Sequence, residues 1–157
     1  MRAYADSSFI LRLVSRDAAS FSSINEYRRA GRPRLFFLPF HELEIRTGIL
    51  QRAFFERHSL SPVERKNYRA RRDAALARFE NFLNRASFAP ATADPDAVFT
   101  RAIKLSVAYA EAMGARSLDL LHVAFALELQ AELFLTADGR QARIAKAEGL
   151  ETVLVDE

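Results

Sequence analysis

The chain has 157 residues, of which 50% are hydrophobic and 11% aromatic, so it can bury one hydrophobic core and is not intrinsically disordered. Its formal net charge is a modest +3, and it contains no cysteine, which excludes disulfide-stabilised folds and cysteine-ligated metal sites. No apolar run approaches the roughly 18–20 residues of a membrane span, and Asp6 and Arg12 interrupt the N-terminal apolar segment, unlike a signal peptide. We therefore expect a soluble, cytoplasmic protein with one domain over residues 1–157.

Short apolar segments alternate with amphipathic segments, and this alternation predicts strands separated by helices. In chain order we predict a strand at 2–6, helices at 8–14 and 18–30, a strand at 34–38, helices at 39–57 and 62–85, a strand at 87–91, helices at 93–113 and 119–129, a strand at 132–137, a helix at 138–149 and a strand at 152–155. The last two strands are almost entirely apolar, as expected for strands buried on both faces. The sequence therefore predicts an α/β fold with about five parallel strands between helices.

Capping residues predict several helix boundaries. Helices are expected to begin after the polar N-cap residues Ser61, Asp94 and Ser117. Gly114 is expected to end the helix at 93–113, because glycine readily adopts the left-handed conformation of a helix terminus.

Four acidic residues fall at one edge of the predicted sheet. Asp6 ends the first strand, and Glu44 lies within two turns of the start of the helix after the second strand. Asp119 lies at the start of the helix before the fourth strand, and Asp138 ends that strand. Because the carboxyl ends of parallel strands share an edge with the amino ends of the following helices, we expect these carboxylates where open α/β sheets bind ligands.

Four uncompensated carboxylates in one place would repel one another and raise each other's pKa values. Mg²⁺ and Mn²⁺ are hard ions that bind oxygen ligands, and they assist the hydrolysis of phosphodiesters. The four acids therefore predict a site for Mg²⁺ or Mn²⁺.

Structural roles for the same acids remain open. Asp6 and Asp138 suit helix caps, and Glu44 suits an exposed surface position, with neighbouring Glu42 as a competitor for its role. Three further acids fall on the same edge, and the first two of them suit the start of a helix: Asp94, Asp96 and Asp156.

Residues 51–85 carry nine basic and four acidic residues, an excess of five positive charges. Such a segment is either a solvated helix face or a surface that attracts a polyanion.

The ordered segments YADSSFIL (4–11), HELEIRTGI (41–49), RSLDLLHVAFAL (116–127) and LFLTADGRQ (133–141) resemble the PIN-domain ribonucleases, most closely the VapC-type toxins of type II toxin–antitoxin modules. The resemblance implies metal-dependent endonucleolytic cleavage of RNA by an acidic pocket of Asp6, Glu44, Asp119 and Asp138. It places the second acid at Glu44 rather than Glu42 through the stretch LEIRTGI (43–49).

The resemblance also implies supporting residues and partners. Small hydroxyl residues accompany the first and last acids, here Ser7 and Thr136, and would orient a phosphate or a water on the metal. Arg46, Arg140 and the basic helix at 62–85 are candidates for guiding RNA. Homodimers and a cognate antitoxin protein are typical partners of the family.

Aromatic residues offer a candidate surface for those protein partners. Phe54, Phe55 and Tyr68 either serve such a contact or pack inside the core, which is the more usual arrangement.

Alternatives remain for the role of His122 and for the function of the whole chain. His122 shares a helix face with Asp119 and either touches a metal or substrate or is a hydrogen-bonded core residue, the more common case.

Aspartate-based phosphotransfer would require an acid at position 8, where the chain has Ser8, or a lysine after a late strand, where none occurs. A PIN-like module that binds RNA or protein without cutting remains the main alternative.

Overall fold

The computed structural model describes residues 1–16, 20–59, 61–85 and 87–155. Its strands are β1 (Ala3–Ala5), β2 (Leu35–Phe37), β3 (Phe88–Pro90), β4 (Leu133–Thr136) and β5 (Glu151–Leu154). Its helices are α1 (Ser7–Ser15), α2 (Ser20–Arg29), α3 (Pro39–Ser59), α4 (Pro62–Arg65), α5 (Tyr68–Asn84), α6 (Pro95–Met113), α7 (Ser117–Glu128) and α8 (Gly139–Ala147). The sheet order is β3-β2-β1-β4-β5 with every neighbouring pair parallel, which confirms the predicted fold class.

The central strands divide the interior into two cores because successive side chains of a strand point to opposite faces. Ala3 and Ala5 pack in one core with residues of α1, α2, α3 and α5. Tyr4 and Phe134 pack in the other core with residues of α6, α7 and α8, and their rings stack with centroids 5.7 Å apart. Helices thus cover the sheet on both faces, as the apolar strands required.

The single basic helix predicted from Pro62 is wrong. The turn α4 ends at Arg65, and α5 begins afresh after Asn67. The residues of α4 whose side chains are described are exposed, so no packed apolar face stabilises a continuous helix through this segment.

The start of α7 also differs from the prediction. Ser117 is the first residue of α7 rather than its cap, and the N-cap position is Arg116. Asp119, the third residue of α7, accepts a hydrogen bond from the backbone N–H of Arg116 at 3.0 Å, so an acid inside the helix satisfies the N–H of the N-cap residue, as in a capping box.

The cap at Asp94 is confirmed, since its side chain accepts a hydrogen bond from the backbone N–H of Asp96 at 3.1 Å. Gly114 ends α6 in the left-handed conformation, with φ of 64°. The predicted start of the second helix at residues 18 and 19, and Asp156, lie outside the described residues.

No helix in the described part of the chain combines the length and the apolar character that crossing a bilayer requires.

Candidate functional site

The strand order places a topological switch point between β1 and β4. The chain runs outward from β1 through β2 to β3 and then returns to the other side of β1 with β4. Helices that follow the two strands diverge at such a point, and open α/β sheets bind ligands in the crevice beyond the strand ends. Asp6 follows β1 directly, and Asp138 lies two residues after the last residue of β4.

Asp6 is fully buried and caps α1 through a hydrogen bond from the backbone N–H of Phe9 at 2.8 Å. The hydroxyls of Ser8 and Thr136 also donate to its carboxylate, each at 2.7 Å to Oδ2. Burial raises the pKa of Asp6, although nearby His122 and these hydrogen bonds oppose the rise. The structure thus holds an anion in a dry position, at a free-energy cost that the hydrogen bonds offset only in part.

Thr136 joins Asp6 to Asp138. While its hydroxyl donates to Asp6, the same oxygen accepts from the backbone N–H of Asp138 at 2.9 Å. Asp138 in turn caps α8, because its Oδ1 accepts from the backbone N–H groups of Arg140 at 2.7 Å and Gln141 at 3.2 Å. The alternative roles of Asp6 and Asp138 as helix caps are therefore correct, and both carboxylates also lie at the strand-end crevice.

Gln141 joins Asp138 to Asp119. Its backbone N–H donates to Asp138, and its side-chain Nε2 donates to Oδ1 of Asp119 at 3.4 Å. Its Oε1 is buried and has no hydrogen-bond partner among the described residues. A buried amide oxygen beside two carboxylates is an acceptor that a water or a cation could satisfy.

Arg116 supplies the positive charge shared by Asp119 and Asp138. Its Nε lies 3.2 Å from Oδ2 of Asp119, and its Nη2 lies 3.7 Å from Oδ2 of Asp138. The Asp119 side chain is only 5% exposed, whereas that of Arg116 is 67% exposed. The Arg116 guanidinium therefore extends from solvent to the two carboxylates. Because ion pairs of an exposed side chain contribute little free energy, the Arg116 side chain can leave them readily.

Glu44 is held by two groups on its Oε2: the Ser7 hydroxyl donates at 2.8 Å, and His122 Nε2 lies at 2.7 Å. Its Oε1 accepts no hydrogen bond from the described residues. Burial alone would raise the pKa of Glu44, but contacts with His122 and Ser7 outweigh it and hold that pKa below its usual value. Glu44 is thus a part-buried carboxylate with one free oxygen.

His122 links Glu44 to the core. The hydroxyl of fully buried Tyr4 lies 2.9 Å from His122 Nδ1, opposite the contact with Glu44. Burial, with the charges of Asp6 and Glu44, raises the pKa of Tyr4 well above its usual value, so its hydroxyl stays protonated and can hydrogen-bond to His122. The interpretation of His122 as a hydrogen-bonded core residue is correct, yet it also orients a candidate site acid.

His41 has a role that the sequence did not indicate. Its Nδ1 accepts from the backbone N–H of Leu38 at 3.1 Å, and its Nε2 donates to the carbonyl of Ala5 at 3.0 Å. Burial and the nearby charge of His122 lower its pKa to about 3, so the ring is neutral. This side chain fastens the start of α3 to the end of β1, which places Glu44, one turn later, beside Ser7. A histidine three residues after a helix N-cap was the available signal.

Other acids on this edge are engaged elsewhere. Glu42 forms an ion pair with Arg46 at 2.9 Å, and Arg46 reaches Glu80 at 2.7 Å. Asp94 and Asp96 are exposed at the start of α6. Arg46 is therefore occupied on the surface, whereas the Arg140 guanidinium lies 3.7 Å from Asp138, at the site.

The arrangement has the chemistry of a cation site without the grouped ligands of a completed one. Asp119, Asp138 and Gln141 offer oxygens, and the first two already share a cationic partner, so the donor set fits a hard divalent ion. In the described ranges, no three His, Asp or Glu side chains are grouped so that they could hold a metal ion.

Comparison with known proteins gives one positive result. The family model described as "PIN domain" matches residues 3–147, which is most of the chain and includes all four acids. No curated protein and no solved structure matches. The matched segment spans every element from β1 to α8, with the strand order and switch point described above. The chain belongs to the PIN domain family.

Proposed function

We propose that this PIN domain is a metal-dependent endoribonuclease and acts as the toxin of a type II toxin–antitoxin pair. PIN domains are typically nucleases that use divalent metal ions. The observation that carries the proposal is the continuous set of hydrogen bonds that connects the strand-end acids through Thr136 and Gln141. Such connections hold acids from distant parts of the chain at one crevice.

The proposed metal ligands are Asp6, Glu44, Asp119 and Asp138, with Mg²⁺ or Mn²⁺ as the ion. Bound there, the ion would stabilise negative charge on the phosphodiester during its hydrolysis. Its entry requires that the exposed Arg116 side chain release its acidic partners, after which the guanidinium is free for a phosphate oxygen.

The supporting residues have separate tasks in this proposal. Ser7 fixes Glu44, and Thr136 fixes Asp6 relative to Asp138. Arg140 lies beside Asp138, where it is suited to contact the RNA backbone. Each task is a matter of position, which electrostatic catalysis requires because misplaced groups stabilise developing charge poorly.

The direct test is cleavage of a labelled RNA with Mg²⁺ or Mn²⁺ by the wild type, Asp119→Asn and Asp6→Asn. We expect each substitution to reduce the rate at least about 100-fold, because it removes a charge that acts on the reacting phosphate. Asp94→Asn is the matched control, since Asp94 is an acid that also caps a helix at this edge and asparagine caps equally well. Site variants that cut RNA as fast as the control would refute the assigned pocket.

The biological role needs its own test. Expression of the wild type without its antitoxin should arrest growth of a bacterial host, while Asp119→Asn should not. Harmless expression of an active nuclease would instead favour RNA processing. A folded wild type that binds RNA but cuts none with either metal would favour the non-cutting PIN module.

Protein partners are proposed on separate grounds. Phe54 and Phe55 are 58% and 62% exposed, so the expectation that they pack inside is wrong. Large exposed aromatic side chains are common in protein interfaces. Phe54 and Phe55 suit contact with an antitoxin or with a second copy of the chain in a homodimer. Tyr68, the third aromatic residue considered for this contact, is half-buried.

A further inference from the structure

A cavity of about 860 Å³ lies between α1, α2 and α5, and five arginines line it. They are Arg16, Arg28, Arg32, Arg78 and Arg85. Its described lining residues include no aspartate or glutamate.

This cavity lies away from the acidic crevice. Helix α1 begins directly after β1 and runs back across the sheet, so its last residues reach the opposite edge. Leu13 and Arg16 line the cavity near the end of α1, and Ser87 lines it just before β3 begins. The cavity is therefore at the edge where strands start, while Asp6 and Asp138 are at the edge where strands end.

Arg78 has a structural role within the cavity. Its guanidinium donates to the backbone carbonyls of Val14 and Ser15 at the end of α1, the latter at 3.1 Å. Burial and the neighbouring charge of Arg16 lower its pKa. These contacts satisfy the carbonyls that a helix C-terminus leaves free.

The other four arginines have no such explanation. Within the described ranges, Arg16, Arg28, Arg32 and Arg85 form no ion pair with an acid. All four are exposed at the cavity wall. Four adjacent cations repel one another, so an anion in the cavity would be favoured.

Two arginines near the start of α5 are different. Arg71 pairs with Glu56 at 3.0 Å, and Arg72 pairs with Asp73 at 2.7 Å. Their charges are compensated locally. The cavity thus gathers four arginines that form no ion pair within the described ranges, whereas Arg71 and Arg72 each have an acidic partner.

Aromatic side chains accompany the guanidinium groups. Phe21 lines the cavity and is 71% exposed, and Tyr27 and Phe82 also line it. Arginine with exposed aromatic rings is the combination that binds single-stranded nucleic acid, because guanidinium groups bind phosphate and rings stack on bases.

We propose that this arginine-lined cavity is a second contact for single-stranded RNA, binding backbone phosphate through Arg16, Arg28, Arg32 and Arg85 while Phe21 stacks on a base. The inference rests on the proposed function for its choice of RNA. It adds a binding site remote from the acids, so a substrate would be gripped beyond the segment that is cut. An acidic protein segment would use the charges but would gain little from an exposed phenylalanine.

The test is binding of a fluorescein-labelled 12-nucleotide single-stranded RNA in EDTA, so that cleavage cannot contribute. The double variant Arg28→Gln/Arg85→Gln loses two phosphate contacts, and each lost contact lowers the slope of log affinity against log salt by about 0.7. We therefore expect it to bind the RNA about 25-fold more weakly than the wild type at 0.1 M salt. Phe21→Ala should weaken binding about tenfold through lost stacking.

The matched control is Lys104→Gln/Lys146→Gln, which removes two exposed charges from α6 and α8 on the other face of the sheet. We expect less than a threefold change for it, and circular dichroism should show all variants folded. Equal losses for the two double variants would overturn the proposal, because net charge alone would then explain binding.

Two outcomes separate this inference from the proposed function. In the first outcome, the wild type cuts no RNA, and of the two double variants only Arg28→Gln/Arg85→Gln binds RNA more weakly. This outcome would support RNA binding at the cavity and refute the nuclease. Unchanged binding in that variant, with normal cleavage, refutes the cavity only. Displacement of the RNA by a deca-glutamate peptide at equal concentration would overturn the choice of RNA as occupant.

Discussion

The pair of contacts between Tyr4, His122 and Glu44 predicts a measurable energetic coupling. His122 is 3% exposed and Tyr4 is fully buried, so neither polar group can turn to bulk water if its partner is removed. Replacing His122 with phenylalanine nearly preserves ring volume but leaves the Tyr4 hydroxyl unpaired. An unsatisfied buried group costs about 1–3 kcal/mol, and Glu44 loses a charge-assisted hydrogen bond worth about 1.5–3 kcal/mol. We therefore expect His122→Phe to lower the free energy of unfolding by about 3–5 kcal/mol.

Tyr4→Phe alone should cost about 1–2 kcal/mol, because it leaves Nδ1 of His122 without its hydrogen-bond partner. In the double variant the unpaired hydroxyl no longer exists, so the two losses should not add. The expected coupling is about 1–3 kcal/mol, read from urea unfolding of the four proteins in a double-mutant cycle. Losses that add to within about 0.5 kcal/mol would show that the two side chains are not hydrogen-bonded in solution, and the account of how Glu44 is oriented would fail.

Three further predictions concern charge. Burial raises the pKa of Asp6 above its usual value of 3.8, so the stability that this group contributes is complete below that pH and is lost as pH rises through the folded-state pKa. The free energy of unfolding of the wild type relative to Asp6→Asn should therefore fall as pH rises from that value, and a difference that stays constant with pH would contradict the burial argument. The pKa of His41 is lowered from 6.5 to about 3, so the free energy of unfolding of the wild type should fall as pH drops from 6.5 to 3, by up to about 1.4 kcal/mol per pH unit. Urea unfolding of His41→Gln should lack the part of this pH dependence that comes from His41. Arg116→Ala should bind Mn²⁺ more tightly in calorimetry, because the guanidinium competes for Asp119 and Asp138; weaker binding would show that Arg116 supports the ion.

Much of the fold was predictable because it depends on local patterns. The strand-end positions of Asp6 and Asp138 follow from short apolar strands followed by capped helices, and parallel topology then assigns both acids to one edge. The sequence also predicted Asp94 as a cap and Gly114 as a stop, since both roles depend on a few neighbouring residues. A resemblance to PIN-domain ribonucleases added the choice of Glu44 over Glu42, which stays a prediction; in the structure Glu42 forms a surface ion pair with Arg46.

The failures of prediction share one cause, which is that exposure depends on the packing of distant elements. Helical spacing suggested one basic helix from Pro62, yet a segment with no core to pack against did not remain continuous. Phe54 and Phe55 were expected inside because they are aromatic, but the faces of α3 that meet the core carry Ile45 and Ile49 instead.

The sequence by itself determined the alternation of elements, the parallel sheet and the edge at which acids accumulate, because these depend on short-range periodicity and on chain direction. Only the tertiary structure decided which partners each charged group meets. His122 and Glu44 are 78 positions apart, and Gln141 reaches Asp119 across 22 positions. Such contacts depend on how the helices pack against the sheet. The same packing collected around one cavity four arginines in or just after α1, α2 and α5 that form no ion pair with a described acid, because long-range contacts determine which charges are neutralised.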